Sequence, residues 1–282
     1  MRDAVKTYYG QTLTSSADLK SDACCEISAP EPAVAAALAN IHPEVSARYY
    51  GCGLVAPDGL EGKTVLDLGC GAGRDVFLLA QLTGPTGRVI GVDMTDEQLA
   101  VARAHEAWHA ARFGFSRPNT RFVKGYIEEL GALELAPGSV DVVVSNCVIN
   151  LAIDKPAVFA GVRRLLKEDG VMHFADVYAE APVPEALRAD PVLYGECLAG
   201  ALSWEAFLAA AQDAGFTRPE LIDHRPLAVT DPDLLERLDG LRFVSATTAL
   251  RPAAAPGAST GGPAPDPFAD HSQRAPGAGC CG

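Results

Sequence analysis

The chain has 282 residues, 48% of them hydrophobic and 21% charged, and 36 acidic against 23 basic residues leave a net charge of -13. This length accommodates one large domain with additions, or two small ones, around a well-buried core. The acidic balance gives no basic footprint for nucleic acid or an anionic membrane, so the expected partner is a small molecule.

The opening residues, MRDAVKTYYGQ, have no apolar core of a signal peptide, and no stretch approaches the roughly 18 apolar residues of a bilayer span. A cytoplasmic location is expected. There, the eight cysteines read as reduced, metal-binding or catalytic thiols rather than as a disulfide framework.

Residues 1–62 form a cysteine-bearing N-terminal cap region with little strand character. Helices are expected over Glu31–Asn40 and Glu44–Tyr50, closing over the working edge of the sheet domain. From Lys63 to about Leu250, β-branched runs alternate with helical stretches, the pattern of an α/β fold. Strands are predicted at Thr64–Leu68, Arg88–Asp93, Thr120–Val123, Val140–Ser145 and Val171–Val177. One long helix should run from a Thr95 cap, with Gln98 completing a capping box, to a stop at Gly114. Another starts near Asp154 with Pro156 in its first turn and ends before Gly170.

Parallel strands joined by right-handed crossovers make a doubly wound sheet that binds its ligand at the carboxyl ends of the strands. The binding domain is placed at 63–177. Residues 178–250 form an insertion and C-terminal part, in which 178–230 interrupt the sheet pattern with Cys197 and a helix from Ser203 to about Ala214, stopped by Gly215. Residues 251–282 are rich in Pro, Gly and Ala and are expected to be a disordered tail ending in Cys-Cys-Gly.

The first strand runs into Asp67-Leu68-Gly69-Cys70-Gly71-Ala72-Gly73-Arg74-Asp75, and the second ends at Asp93. The glycines allow a tight turn and close approach to a ligand, while Asp93 can accept hydrogen bonds from a ribose diol. A dinucleotide loop is spaced G-x-G-x-x-G to cradle a pyrophosphate, whereas Gly69, Gly71 and Gly73 are spaced G-x-G-x-G. S-adenosylmethionine has no pyrophosphate, and its ammonium suits Asp67. A methyl donor is therefore preferred over a nicotinamide. Gly125-Tyr126-Ile127 after the third strand and Asn146-Cys147-Val148 after the fourth reach the same edge and are candidate walls for the donor.

Packing is the default role of a buried free cysteine, and Cys70, inside the glycine loop, keeps it. Cys147 differs because its turn puts it at the ligand edge. Cys24, Cys52 and Cys197 complete four scattered thiols around a methyl-donor site, and thiolates select soft elements. Cys25 adjoins Cys24, and Cys280 and Cys281 end the tail; none of the eight forms a C-x-x-C zinc pair. His105-Glu106-Ala107-Trp108-His109 matches H-E-x-x-H. A crossover helix carries it away from the ligand edge, so a partly solvated helix face is expected instead of a protease, and no metal cofactor is expected.

Eight segments, YYGQTLTSSADLKSDAC, HPEVSARYYGCGLVAPDGLEG, VLDLGCGAGRD, GVDMT, GYIEEL, VVVSNCVINL, YGECLAGALSW and RFVSAT, carry a resemblance to the arsenite S-adenosylmethionine methyltransferases from Tyr8 to about Thr248. The resemblance implies a Rossmann-like class I methyltransferase sheet with an N-terminal helical cap and an arsenic-binding insertion and C-terminal subdomain. It implies that Cys147 and Cys197 hold trivalent arsenic, that Cys52 and Cys24 supply a third ligand and redox turnover, and that Asp67, Gly69, Gly71, Asp93, Met94, Tyr126 and Ile127 match methyl-donor positions. The implied substrates are arsenite and methylarsenite, with thioredoxin or glutathione as reductant and arsenic detoxification as the outcome. The chain departs from the animal members in lacking their longer C-terminal region after Leu250. The readings weighed against this one are a carbon- or oxygen-directed methyltransferase and a non-catalytic metalloid-binding protein.

Overall fold

A computed structural model describes residues 30–51, 53–195, 197–229, 231–254 and 265–269; Cys24, Cys25, Cys52, Cys280 and Cys281 lie outside them. In chain order the elements are α1 (Pro32–Leu38), α2 (Pro43–Ser46), β1 (Thr64–Leu68), α3 (Arg74–Thr83), β2 (Arg88–Asp93), α4 (Asp96–Ala104), α5 (Glu106–Arg112), β3 (Thr120–Lys124), β4 (Val140–Asn146), α6 (Lys155–Leu165) and β5 (Leu166–Ala179). They are followed by α7 (Glu185–Arg188), α8 (Pro191–Gly195), β6 (Leu202–Ser203), α9 (Trp204–Asp213), β7 (Glu220–Pro226), α10 (Pro232–Leu238) and β8 (Phe243–Leu250).

The sheet has the order β3-β2-β1-β4-β5-β8-β7, with β6 pairing the end of β5. The central parallel strands are near-continuous apolar runs because both of their faces are covered. In β1, Val65 packs into a core with Val76, Phe77 and Leu99 on one face, while Leu66 and Leu68 join Val158, Phe159 and Phe207 on the other. This is the doubly wound, Rossmann-like arrangement expected, and it delivers the carboxyl ends of β1, β2 and β4 to one edge.

Several expectations are corrected. The sheet is not all parallel: β8 runs antiparallel to both β5 and β7. Residues 178–230 therefore extend the sheet as well as interrupting it, and the division at 177/178 falls inside β5. The single helix from Thr95 to Gly114 is two helices, broken at His105 (φ -104, ψ 2). The Thr95 side chain makes no capping bond; the Asp93 carboxylate accepts the Thr95 N–H at 2.8 Å instead. Within the expected disordered tail, residues 265–269 are placed: Trp204 Nε1–H donates to the Pro265 carbonyl at 2.7 Å, and Phe268 packs on the second core.

Other local signals act as read. Asp154 caps α6 by accepting the Ala157 N–H at 3.0 Å, and Ser203 caps α9 through the Ala206 N–H at 3.2 Å. The cap helices α1 and α2 are shorter than expected. No helix among the described residues is long and apolar enough to cross a membrane.

Candidate methyl-donor and thiol site

A cleft with about 1000 Å³ of free space, its open mouth included, lies at the carboxyl ends of β1, β2 and β4. Asp67, Gly69, Gly71, Asp93, Met94, Gly125, Tyr126, Ile127, Asn146 and Cys147 all line it. Gly73 does not. Its φ of +91 starts α3, and a side chain there would lie 2.9 Å from Phe122 and 3.1 Å from Phe77, so this glycine serves packing rather than a ligand.

The cleft is acidic in a way that calls for a cation. Asp67 is buried (3% exposed), and no hydrogen bond reaches its carboxylate from the described residues. Burial pushes its pKa well above the usual carboxylate range, and the negative charges of Asp75 and Asp93 raise it further. Burial also raises Asp93, against hydrogen bonds from the backbone N–H groups of Thr95 and Gly71; the latter reaches Asp93 Oδ2 at 2.8 Å. Asp93 thus pins the glycine loop to the end of β2 and keeps lone pairs for further donors. A ligand with an ammonium, a sulfonium and a ribose diol fits this set of groups, as S-adenosylmethionine requires.

Sequence reasoning missed how the cap is fastened over the cleft. Asn146 Nδ2 is directed at the Tyr49 hydroxyl (2.7 Å), the Gly53 carbonyl (2.7 Å) and Asp75 Oδ2 (3.0 Å). Tyr49 Oη–H donates to the Gly53 carbonyl at 2.6 Å, and the Arg74 guanidinium lies 3.6 Å over the Tyr49 ring. Tyr49 and Gly53 are thereby tied to β4, and Tyr49 also to α3. The only sequence signal was the aromatic pair Tyr49-Tyr50 ahead of Gly51 and Gly53, and it carried no partner. Arg48, Tyr50 and Glu128 are further lining residues that went unread.

Cys147 lines the cleft; Cys197 does not, but lies against Cys147. Both are 3% exposed, and Cys197 Sγ–H donates to the Cys147 carbonyl at 3.3 Å. Cys197 carries a free thiol; Cys147 is in a disulfide. Three described non-glycine residues have a left-handed backbone, and two of them are Cys147 (φ 55) and Cys197 (φ 61). Such residues are uncommon and concentrate at functional sites.

The Cys197 turn is held from behind. Asn150 Nδ2 donates to the Val177 carbonyl at 2.6 Å and to the Cys197 carbonyl at 3.4 Å, and Asp176 accepts the Asn150 N–H at 3.1 Å. Gly200 lets this chain approach, since a side chain there would lie 2.0 Å from the Asn150 carbonyl oxygen. Burial pushes Asp176 up to about 7. Cys70 packs differently, its sulfur filling the space beside Gly91, and burial pushes its thiol well above the usual range.

The H-E-x-x-H segment lies away from the cleft. The helix face is partly solvated as expected, with Trp108 41% exposed, but His109 is 1% exposed and stacks on Phe77 at 3.6 Å. Its Nδ1 meets the His105 carbonyl at 2.8 Å and its Nε2 accepts the His42 N–H at 3.1 Å, which fixes a neutral ring with the proton on Nδ1. Burial lowers its pKa to about 4. The Thr120 hydroxyl donates to Glu106 at 2.9 Å, so the acid of the motif is engaged away from both imidazoles.

For a buried base whose folded pKa lies below its unfolded one, stability is full above pH 6.5 and falls as the pH drops toward 4. Replacing His109 by Gln is therefore expected to flatten the fall in urea stability between pH 7 and 4.5 by up to ~3 kcal/mol. The comparison with wild type is needed because Asp176, raised by burial, changes stability in the opposite sense over the same window. Parallel slopes for the two proteins would contradict the assignment.

A family model described as a methyltransferase domain matches residues 60–215. The arsenite methyltransferase of Aquipseudomonas alcaligenes is 55% identical over 250 residues, an alignment covering 89% of this chain and 72% of that one. The human arsenite methyltransferase is 45% identical, with 89% and 68% covered. The crystal structure of an arsenic(III) S-adenosylmethionine methyltransferase from Chlamydomonas reinhardtii superposes with a TM-score of 0.77 at 43% identity, covering 80% of this chain and 76% of that chain. The acidic cleft at the parallel strand ends, the paired cysteines beside it and these relatives converge, and the chain belongs to the arsenite methyltransferase family, enzymes dependent on S-adenosylmethionine.

Proposed function

We propose that the protein methylates trivalent arsenic, arsenite and then methylarsenite, held by Cys147 and Cys197 with Cys52 as third ligand. The observation that carries this reading is the contact of two buried cysteines, both in left-handed turns, one of which, Cys147, lines an acidic cleft. Soft thiolates suit trivalent arsenic and leave its lone pair available. Asp67, Gly69, Gly71, Asp93, Met94, Gly125, Tyr126, Ile127 and Asn146 would hold S-adenosylmethionine, which when bound supplies an electrophilic methyl group on a sulfonium.

The protein's own contribution is alignment and dryness. Well-oriented reactants gain up to roughly 7–11 kcal/mol over free encounter, and burial of both cysteines with the cap fastened through Asn146 and Tyr49 keeps water out. No general base is required, because the attacking lone pair carries no proton.

Forming the carbon–arsenic bond leaves arsenic formally pentavalent, and two electrons must return it to the trivalent state. Two thiolates supply them by forming one disulfide; Cys24 and Cys52 are the proposed pair, and thioredoxin or glutathione would then reduce it. The disulfide at Cys147 must be reduced before Cys147 can bind arsenic. The biological outcome proposed is arsenic detoxification.

Incubation with arsenite, labelled S-adenosylmethionine and a thiol, followed by arsenic speciation, tests the reading. Methylated arsenicals are expected; arsenic binding without product would mark a sequestering protein, and turnover indifferent to thiol-blocking reagents would mark a carbon- or oxygen-directed enzyme. In the same assay Cys52→Ser or Cys24→Ser should impair the arsenite step while sparing methylarsenite, for which two thiolates suffice. Equal loss on both substrates would sink that division of roles.

A further inference from the structure

Away from the cleft, the cap meets the helix pair α4–α5 through a group of side chains that the methyl-transfer chemistry does not use. We propose that His42, Glu44 and His105 form a binding site for a divalent transition metal of the zinc class, which staples the cap to the α4–α5 joint. One ligand atom from each of the three residues lies within 4.8 Å of the others. Two imidazoles and one carboxylate suit zinc, nickel, cobalt or copper rather than calcium or magnesium, which prefer all-oxygen sites. Water completes the coordination.

The backbones of the ligand residues are already fixed. His109 receives the His42 N–H at 3.1 Å through Nε2 and holds the His105 carbonyl at 2.8 Å through Nδ1, so one buried ring ties both histidine ligands together from beneath. These bonds hold the two histidine backbones at a fixed spacing, while their side chains reorient on binding. His105 Nε2 also lies 2.9 Å from Glu44 Oε2. Half of the Glu44 side chain is exposed (50%) against 15% for His105, which gives an ion a route in from solvent.

Two adjustments accompany binding. His42 Nδ1 accepts the Glu44 N–H at 3.2 Å, and a neutral imidazole has a single lone-pair nitrogen, so coordination through either nitrogen releases this long bond. The His42 and His105 rings stack at 3.8 Å, 23° from parallel, and must swing apart to put one ion in both ring planes. Both changes involve side chains at the solvent boundary. The α2 helix leads directly into Arg48, Tyr49, Tyr50 and Gly51 of the cleft wall, so an ion here steadies that wall from outside while taking no part in methyl transfer.

Trp108 makes the site observable. Its ring lies 4.9 Å from His42, while Trp204, the other of the two tryptophans, is bonded to Pro265 on the opposite side of the sheet. Titrating the full chain with Ni²⁺ should quench Trp108 fluorescence saturably, and equilibrium dialysis should find one equivalent of Zn²⁺ lost on replacing these ligands. Both Glu44→Gln and His105→Gln should weaken that binding at least tenfold. Glu44→Gln changes a half-exposed side chain, and its thermal unfolding in EDTA, expected within a degree or two of wild type, controls for folding. Quenching that does not saturate, or affinity unchanged in both variants, would show an ordinary imidazole–carboxylate ion pair and overturn the proposal.

Discussion

Cys197→Ser is expected to abolish arsenic binding and to lower methylation of arsenite at least about a hundredfold, ~2.7 kcal/mol of transition-state stabilisation, while leaving binding of S-adenosylmethionine intact. Serine nearly matches the thiol in size, so the buried turn at Cys197 and its bond toward the Cys147 carbonyl can persist. What changes is the donor atom: a neutral hydroxyl is a hard, weakly acidic oxygen with little affinity for a soft element. Cys147→Ser should act alike, with one difference, since it also removes the disulfide in which Cys147 stands. Calorimetric titration with methylarsenite and with S-adenosylmethionine separates the two sites. Near-normal turnover by either variant would refute the arsenic clamp.

The second large effect is expected at the glycine loop of the cleft. Gly69 has φ +72, and an alanine side chain there would lie 2.4 Å and 2.5 Å from the two methyls of Val148. The left-handed backbone costs an alanine roughly 1–2 kcal/mol, and overpacking adds about 1–3 kcal/mol. Relief requires the loop to lift from the Val92 carbonyl, which holds the Gly69 N–H at 2.8 Å, or Val148 to move and take Cys147 with it. Either movement deforms the site, so Gly69→Ala should lose at least about tenfold, ~1.4 kcal/mol, in affinity for S-adenosylmethionine and unfold at lower temperature. Gly71→Ala is the informative comparison, because its side chain would meet no protein atom within 4 Å, which leaves the backbone strain at φ +51 and contact with the donor itself, since Gly71 lines the cleft. If Gly69→Ala bound the donor as tightly as wild type, the loop would not be the cradle described.

How much the sequence disclosed depends on how local each signal is. β1 and β2 end where their apolar runs end, and β3 and β4 extend one residue beyond the predicted limits, to Lys124 and Asn146. The glycine loop was legible because all its parts lie within nine residues. β7 was not: Glu220–Pro226 is half-exposed along most of its length at the edge of the sheet, so no hydrophobic period marks it. β8, FVSATTAL, is buried but built largely of small residues that mimic a turn-rich stretch. The fastening of the cap was hidden for a different reason, since Tyr49 and Asn146 are 97 positions apart and neither residue type demands the other. Likewise the helix breaks at His105, a residue in contact with His42, Glu44 and His109, and none of these contacts is visible in the helical pattern of the sequence. The thiols were visible one by one, but only the fold brings Cys147 and Cys197, 50 positions apart, to a common point.

The left-handed turns at these two cysteines have a consequence for engineering. At such positions glycine is the residue the backbone itself would choose, and any side chain is held there at a disadvantage of about 1 kcal/mol or more. A search for stabilising substitutions guided by backbone conformation alone would therefore select glycine at 147 and 197, and a firmer chain obtained that way would have no thiol left to hold arsenic. Two of the three described non-glycine residues with a left-handed backbone are the proposed arsenic ligands, so selection for thermal stability and selection for turnover would pull these two positions in opposite directions.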